Sequence, residues 1–201
     1  MNRSIPTRRP VRRAFLVALA LATGLPAAAL VSPSRADAQM GPRGGGGEPA
    51  ALDATRRQYE MVRDYVLQTA RGVPDDVIDY RPAEEVRSFG ELLGHVANAS
   101  YSFCSAALGE QSPSTRNLEE LTDRAQLASA LDDAFAYCDR AHTELTGPRL
   151  MEEVNLFGQT GPRIWVLVFN ATHTWEHYGN LVTYMRLNGI VPPSSGGMSG
   201  G

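Results

Sequence analysis

Four long stretches of this chain place apolar residues three and four apart, and each is closed by residues that stop a helix. The first runs from about Asp53 to Ala70. Leu52, Tyr59, Val62, Tyr65 or Val66, and Thr69 lie near one stripe, and Gly72 and Pro74 end it. The link that follows, "VPDDVIDYRPAEEVR", contains Pro82, through which a helix cannot continue. The second stretch opens on Ser88-Phe89-Gly90-Glu91, a capping box in which serine and glutamate side chains satisfy orphan backbone donors reciprocally; it runs to Leu108, with Gly109 behind it. The third begins at Thr122 or Asp123 and extends through "RAQLASALDDAFAYCDRAHTEL" to Gly147. The fourth starts near Pro162 and ends at Asn188, with Gly189 as a left-handed cap and prolines close behind. Segments that alternate apolar and polar residues as strands do are few and short. Four helices in one domain predict an all-α fold, an antiparallel four-helix bundle.

The ends of the chain read differently. Arg8, Arg9, Arg12 and Arg13 precede the apolar run "AFLVALALATGLPAAAL", and Ala36-Asp37-Ala38 follows it, which describes a cleavable export signal over residues 1–38. Gly24 and Pro26 interrupt the run, so a stable membrane anchor is not expected. "RRAFL", Arg12 to Leu16, resembles a twin-arginine export signal, although paired arginines also occur in ordinary signals. Residues 39–50 contain "GPRGGGGE" and are expected to be a flexible linker, residues 51–195 the folded domain, and residues 196–201 a disordered tail. The protein is thus expected to be periplasmic or secreted.

Charge narrows the function. Residues 1–38 hold six arginines and one aspartate, so their removal takes the formal charge from −3 to −8. An acidic domain is a poor partner for nucleic acid or an anionic membrane. The chain contains no lysine, which excludes Schiff-base chemistry and a lysine-bearing phosphate loop.

The stretch "FNATHTWEHYGNLVTYMR" carries the chemistry. On a helix, Val166, Phe169, Asn170, His173, His177, Leu181 and Tyr184 share a stripe that is apolar at both ends and polar in its middle. Neutral imidazoles four apart can hold a divalent metal jointly; alternatively, each is a core histidine bonded to backbone or solvent. The zincin motif is absent, because position 174 is threonine and the glutamate is Glu176. His95, on the second helix in a stripe with Leu92, Ala99 and Ser102, is a candidate third ligand, since bundle metal sites draw on facing helices. Three histidines leave a coordination position open, the pattern of a catalytic metal site.

"SFGELLGHVANASYSF" followed at a distance by "HTWEHYGNLVTYMRLNGIVPPSS" resembles the DinB/YfiT-like superfamily of four-helix bundles over residues 53–195. The resemblance implies His95, His173 and His177 as ligands of a divalent ion, zinc or nickel. Characterised members include thiol-dependent transferases and isomerases that use low-molecular-weight thiols, and some members form dimers, so a homodimer is also implied. An exported location fits hydrolysis better than cytosolic thiol chemistry. The expectation is therefore a metal-dependent enzyme that activates water for an unspecified small-molecule substrate. The alternatives are a non-catalytic bundle that binds metal or a small ligand, a thiol-dependent transferase, and a bundle whose histidines bind nothing.

Six further positions carry expectations. Cys104 and Cys138 pair as a disulfide or remain buried thiols. Cys104 lies half a turn around its helix from His95 and so does not complete that site. His142 is expected at the solvated surface. Glu176 is an exposed acid, an acceptor for an imidazole or a general base, and Asn170 and Tyr184 are candidates for contacts with the ligands or substrate.

Overall fold

The structure, a computed structural model, describes residues 47–196. The expected export signal lies outside the described residues. Among those described, no helix is long and apolar enough to cross a membrane.

Four helices form: α1 (Gly47–Gly72), α2 (Phe89–Leu108), α3 (Arg124–Glu144) and α4 (Arg163–Leu187). Their ends follow the local chemistry. The Ser88 hydroxyl accepts the Glu91 N–H and the Glu91 carboxylate accepts the Ser88 N–H, completing the capping box of α2. Asp123 caps α3 by accepting the Gln126 N–H at 2.8 Å. Gly109 (φ 75°) and Gly189 (φ 73°) adopt the left-handed conformation that ends α2 and α4. Helix α1 begins six residues before the expected Asp53, so residues 47–50 of the expected linker are helical. Pro49 falls in the first turn, where its missing N–H has no partner to lose.

Helix α1 packs on α3 and α4, and α2 packs on the same two, so α1 and α2 lie across a diagonal. Contacting residues give the directions. Phe103 meets Phe169 and His95 meets His177, so α2 and α4 are antiparallel; Arg56 reaches the His142 carbonyl and Arg71 reaches Asp132, so α1 and α3 are antiparallel. Tyr65 stacks on Tyr178 while Thr69 lies by Met185, and Gly90 faces Leu127 while Cys104 is bonded to Cys138. The pairs α1–α4 and α2–α3 are therefore parallel, and the expected antiparallel arrangement holds for only half of the contacts. Parallel neighbours need a connection that travels back along the bundle. Residues 109–123, between α2 and α3, do this and lie against α2.

The core is a continuous apolar cluster in which Tyr59, Phe89, Phe135, Leu93, Leu127 and Leu167 are each at most 1% exposed. His142 belongs to it, contrary to the expected surface position: it is 2% exposed and stacks on Tyr59 with ring centroids 4.1 Å apart. Its spacing explains this, since it follows Phe135 and Cys138 by seven and four residues on the buried stripe of α3.

Between α3 and α4 lies a hairpin that helical periodicity did not reveal, β1 (Glu153–Leu156) and β2 (Gln159–Pro162), paired antiparallel with Leu156 opposite Gln159. Its two-residue turn has positive φ at both Phe157 (54°) and Gly158 (79°), as in a type I′ turn. Glycine adopts that conformation freely, whereas for a bulky residue it costs about 1–2 kcal/mol. Arg163 ties the hairpin to the bundle, donating to Glu152 and to the Ala107 carbonyl at the end of α2. Beyond α4, Pro192 and Pro193 are buried, and the Ser194 N–H donates to the Tyr178 hydroxyl at 3.0 Å.

Candidate metal centre

His173 and His177 stand one turn apart on α4, and their Nε2 atoms face each other at 3.0 Å. Antiparallel α2 brings His95 opposite them, with its ring centroid 4.7 Å from that of His177 and 5.3 Å from that of His173. One nitrogen from each of the three rings lies within 4.8 Å of the other two. Two facing Nε2 atoms cannot both carry a proton, so one is a bare lone pair, and a cation taking a lone pair from each ring would satisfy the set. Because the Nε2 atoms of His173 and His177 face each other, they are the ligand atoms the two rings would offer together. The donor set fits a divalent ion.

Protonation favours the same reading. Burial, then the neighbouring imidazoles, push His173 from 6.5 down to about 4. Burial, then His95 and Arg87, lower His177 likewise to about 4. Both rings are neutral at pH 7, the form that binds a metal.

His95 is oriented by a residue that sequence reasoning missed. Its Nδ1 lies 2.8 Å from the Glu119 Oε1, and the other Glu119 oxygen accepts from the Arg87 Nε at 2.8 Å. Burial alone would raise the Glu119 carboxyl, but hydrogen bonds from Arg87 and His95 outweigh it and hold the group below the usual range. An ionised Glu119 accepts the Nδ1 proton of His95 and leaves Nε2 free to bind a metal. Glu119 arrives on the link between α2 and α3, in a single 3-10 turn (Leu118–Glu120). The turn packs directly on Gly94, one residue before His95. A Cβ there would lie 2.5 Å from the Leu118 carbonyl carbon and 2.7 Å from the Glu119 Cα. Asn98 pins the turn by accepting the Leu118 N–H at 3.1 Å.

Beside the histidines opens a cavity of about 720 Å³, whose lining includes His177, Glu119, Arg81, Arg87, Asn180 and Tyr184. On the other side stand aromatic rings: Phe103 lies edge-on to His173 at 5.1 Å and Phe169 lies 6.2 Å from it.

The remaining candidates separate. Tyr184 lines the cavity and donates its hydroxyl proton to the Arg87 carbonyl at 3.1 Å, bracing the base of the Arg87–Glu119 pair. Glu176 is exposed. Asn170 is fully buried and turned away from the metal site, with its amide nitrogen 3.5 Å and 3.6 Å from the Cys104 and Cys138 sulfurs. Those cysteines form a disulfide, with Cα atoms 5.3 Å apart, so neither offers a thiolate to a metal. Trp175 and Tyr178, beside the histidines in sequence, point to α1 and pack on Tyr65.

Residues 58–181 match the DinB superfamily. Solved structures share the fold. A DinB-like protein from Bacillus cereus superposes with a TM-score of 0.62 at 17% identity, covering 70% of this chain and 95% of that one. A DinB-like protein from Bacillus subtilis gives 0.53 at 23% identity, covering 68% and 92%. None of the curated proteins matches the chain. The matched segment holds all three histidines and takes in most of the bundle, and the chain belongs to the DinB superfamily.

Proposed function

We propose that this protein is an exported enzyme that depends on a divalent metal, zinc or nickel, held by His95, His173 and His177, and that it hydrolyses a small molecule. The observation that carries the reading is the convergence of three ring nitrogens within 4.8 Å beside an accessible cavity. A bound ion at such a donor set supplies Lewis acidity, polarising a substrate oxygen or acidifying water.

The protein's own groups have separable tasks. Glu119, anchored by Arg87, holds the His95 ring in one tautomer and orientation. Burial keeps His173 and His177 neutral at physiological pH. The cavity reaches His177, and that opening favours a catalytic centre over a sealed structural or storage site. Absence of lysine leaves no side-chain amine nucleophile in the chain, consistent with chemistry centred on the metal.

The test is elemental analysis of untagged protein beside His95→Ala, His173→Ala and His177→Ala, followed by a screen of ester, amide and lactone substrates. Near one equivalent of metal in the wild type, little in each variant, and turnover that is lost on chelation and restored by metal are expected. Protein that takes up neither zinc nor nickel would overturn the metal reading. Metal uptake without turnover across the screen would count against hydrolysis and favour a binding role.

A further inference from the structure

The hairpin tip breaks a local rule in a way that points at substrate. Phe157 occupies the first position of a type I′ turn with φ 54°, where asparagine or glycine would fit without strain. The residue is also 72% exposed, so burial does not compensate for the strained backbone. The ring nevertheless has a defined place, edge-on to Phe103 at 5.8 Å and 6.3 Å from Phe169. Phe103 and Phe169 are the two phenylalanines that flank His173. An aromatic wall thus runs from the metal-binding histidines out to an exposed ring, and Arg163 holds its hairpin to α2 and to Glu152. Strain retained beside a functional centre is a pointer to function, because the fold alone does not require it.

The opposite side of the histidines has another character. The cavity there is lined by Glu84, Glu85, Glu91 and Glu119 against only Arg81 and Arg87. Arg81 is paired with Glu91 and Arg87 with Glu119, so both cations are already matched by carboxylates and the lining as a whole disfavours an anion.

We infer that Phe157 and Phe169 form the apolar subsite of the enzyme. Its substrate is then a small molecule that is not an anion, with an aryl or branched alkyl group beside the polar group that reaches the histidines. This inference rests on the metal-centre reading above.

Hydroxamates separate the two, since the same chelating head can carry different tails. Acetohydroxamate, benzohydroxamate and non-chelating benzamide are titrated into zinc-loaded wild type and Phe157→Asn, by calorimetry and by the amide resonances of Gly158 and Phe169. Asparagine suits the turn, so the variant should fold. Benzohydroxamate is expected to bind wild type about ten-fold more tightly than acetohydroxamate, equivalent to about 1.4 kcal/mol. Phe157→Asn should erase most of that difference and leave acetohydroxamate unchanged. Equal affinity for both hydroxamates, or a preference that survives Phe157→Asn, overturns the subsite and leaves the metal centre standing. Failure of both hydroxamates to bind the zinc-loaded protein overturns the subsite as placed. Failure to take up zinc overturns the metal centre, and benzamide then decides the subsite: saturable shifts at Gly158 and Phe169 that vanish in Phe157→Asn support it, and none refutes it. If Phe157→Asn alters only self-association in sedimentation, the tip is an interface between copies and the subsite is refuted.

Discussion

Glu119 Oε1 lies 2.8 Å from His95 Nδ1, although the two residues come from different elements, 24 positions apart in sequence. Removing this acceptor should weaken metal binding without dismantling the bundle, because the Glu119 carboxylate bonds to Arg87 and His95 and lines the cavity. Glu119→Ala is expected to lower zinc affinity about 10–100-fold, the range seen when the acceptor behind a metal-bound histidine is removed. Glu119→Gln, which keeps an acceptor but not the charge, should fall between. Competition with a chromophoric chelator measures both. Equal affinity in all three proteins would mean that the carboxylate serves only its ion pair with Arg87.

Gly94 should be intolerant of even one added carbon. A Cβ would meet backbone of the Leu118–Glu120 turn, 2.7 Å from the Glu119 Cα, and backbone cannot swing aside as a side chain can. Gly94→Ala is expected to destabilise the domain by about 1–3 kcal/mol and to weaken zinc binding by displacing Glu119. Urea unfolding and chelator competition test the two effects separately. Gly179, with nothing within 4 Å of an added Cβ, is the control, and alanine there should be neutral or stabilising.

His142 should make the fold sensitive to acid. Burial first, then Arg56, lower it from 6.5 to about 4, with Asp139 opposing, and neither ring nitrogen has a hydrogen-bond partner. Between pH 6.5 and 4 the unfolded chain binds a proton that the folded chain refuses. The stability contributed by the neutral ring is therefore complete above pH 6.5 and is lost as pH falls through 4, to a total of about 3 kcal/mol. His142→Phe keeps a ring against Tyr59 and removes the titration. Its urea midpoint should match or exceed wild type at pH 7 and should fall less between pH 7 and 4.5. A parallel decline in both proteins would show that other groups, His173 and His177 among them, dominate acid unfolding.

The disulfide should serve the bundle and not the metal. Cys104 and Cys138 close a loop with a sequence separation of 34, for which chain entropy gives about 3–4 kcal/mol. The Cys104→Ala/Cys138→Ala protein should melt roughly 8–15 °C lower while binding the same amount of zinc. Loss of metal in step with loss of the disulfide would show that the α2–α3 staple also holds the histidines in place.

The helices and most of their ends, the start of α1 and the end of α3 excepted, were legible because the causes are local. Ser88 and Glu91 are three residues apart, Gly109 and Gly189 sit where a left-handed residue must follow a helix, and His173 and His177 share a face at any i, i+4 spacing. His142 was legible in principle by the same rule, since it continues the stripe of Phe135 and Cys138, but a histidine amid charged neighbours reads as exposed until Tyr59 is seen to cover it. Residues 153–162 escaped because strands of four residues are too short for alternation to register, so the sequence did not indicate that Phe157 would stand near Phe103 and Phe169. Helix directions were decided by packing alone. Parallel α2 and α3 force the link between them back along α2, where Gly94 gives it room, and only that return brings Glu119 to His95. Periodicity and caps are properties of neighbouring residues and survive in the sequence. The pairing of distant segments depends on which apolar faces bury one another best, and that was settled when the bundle closed.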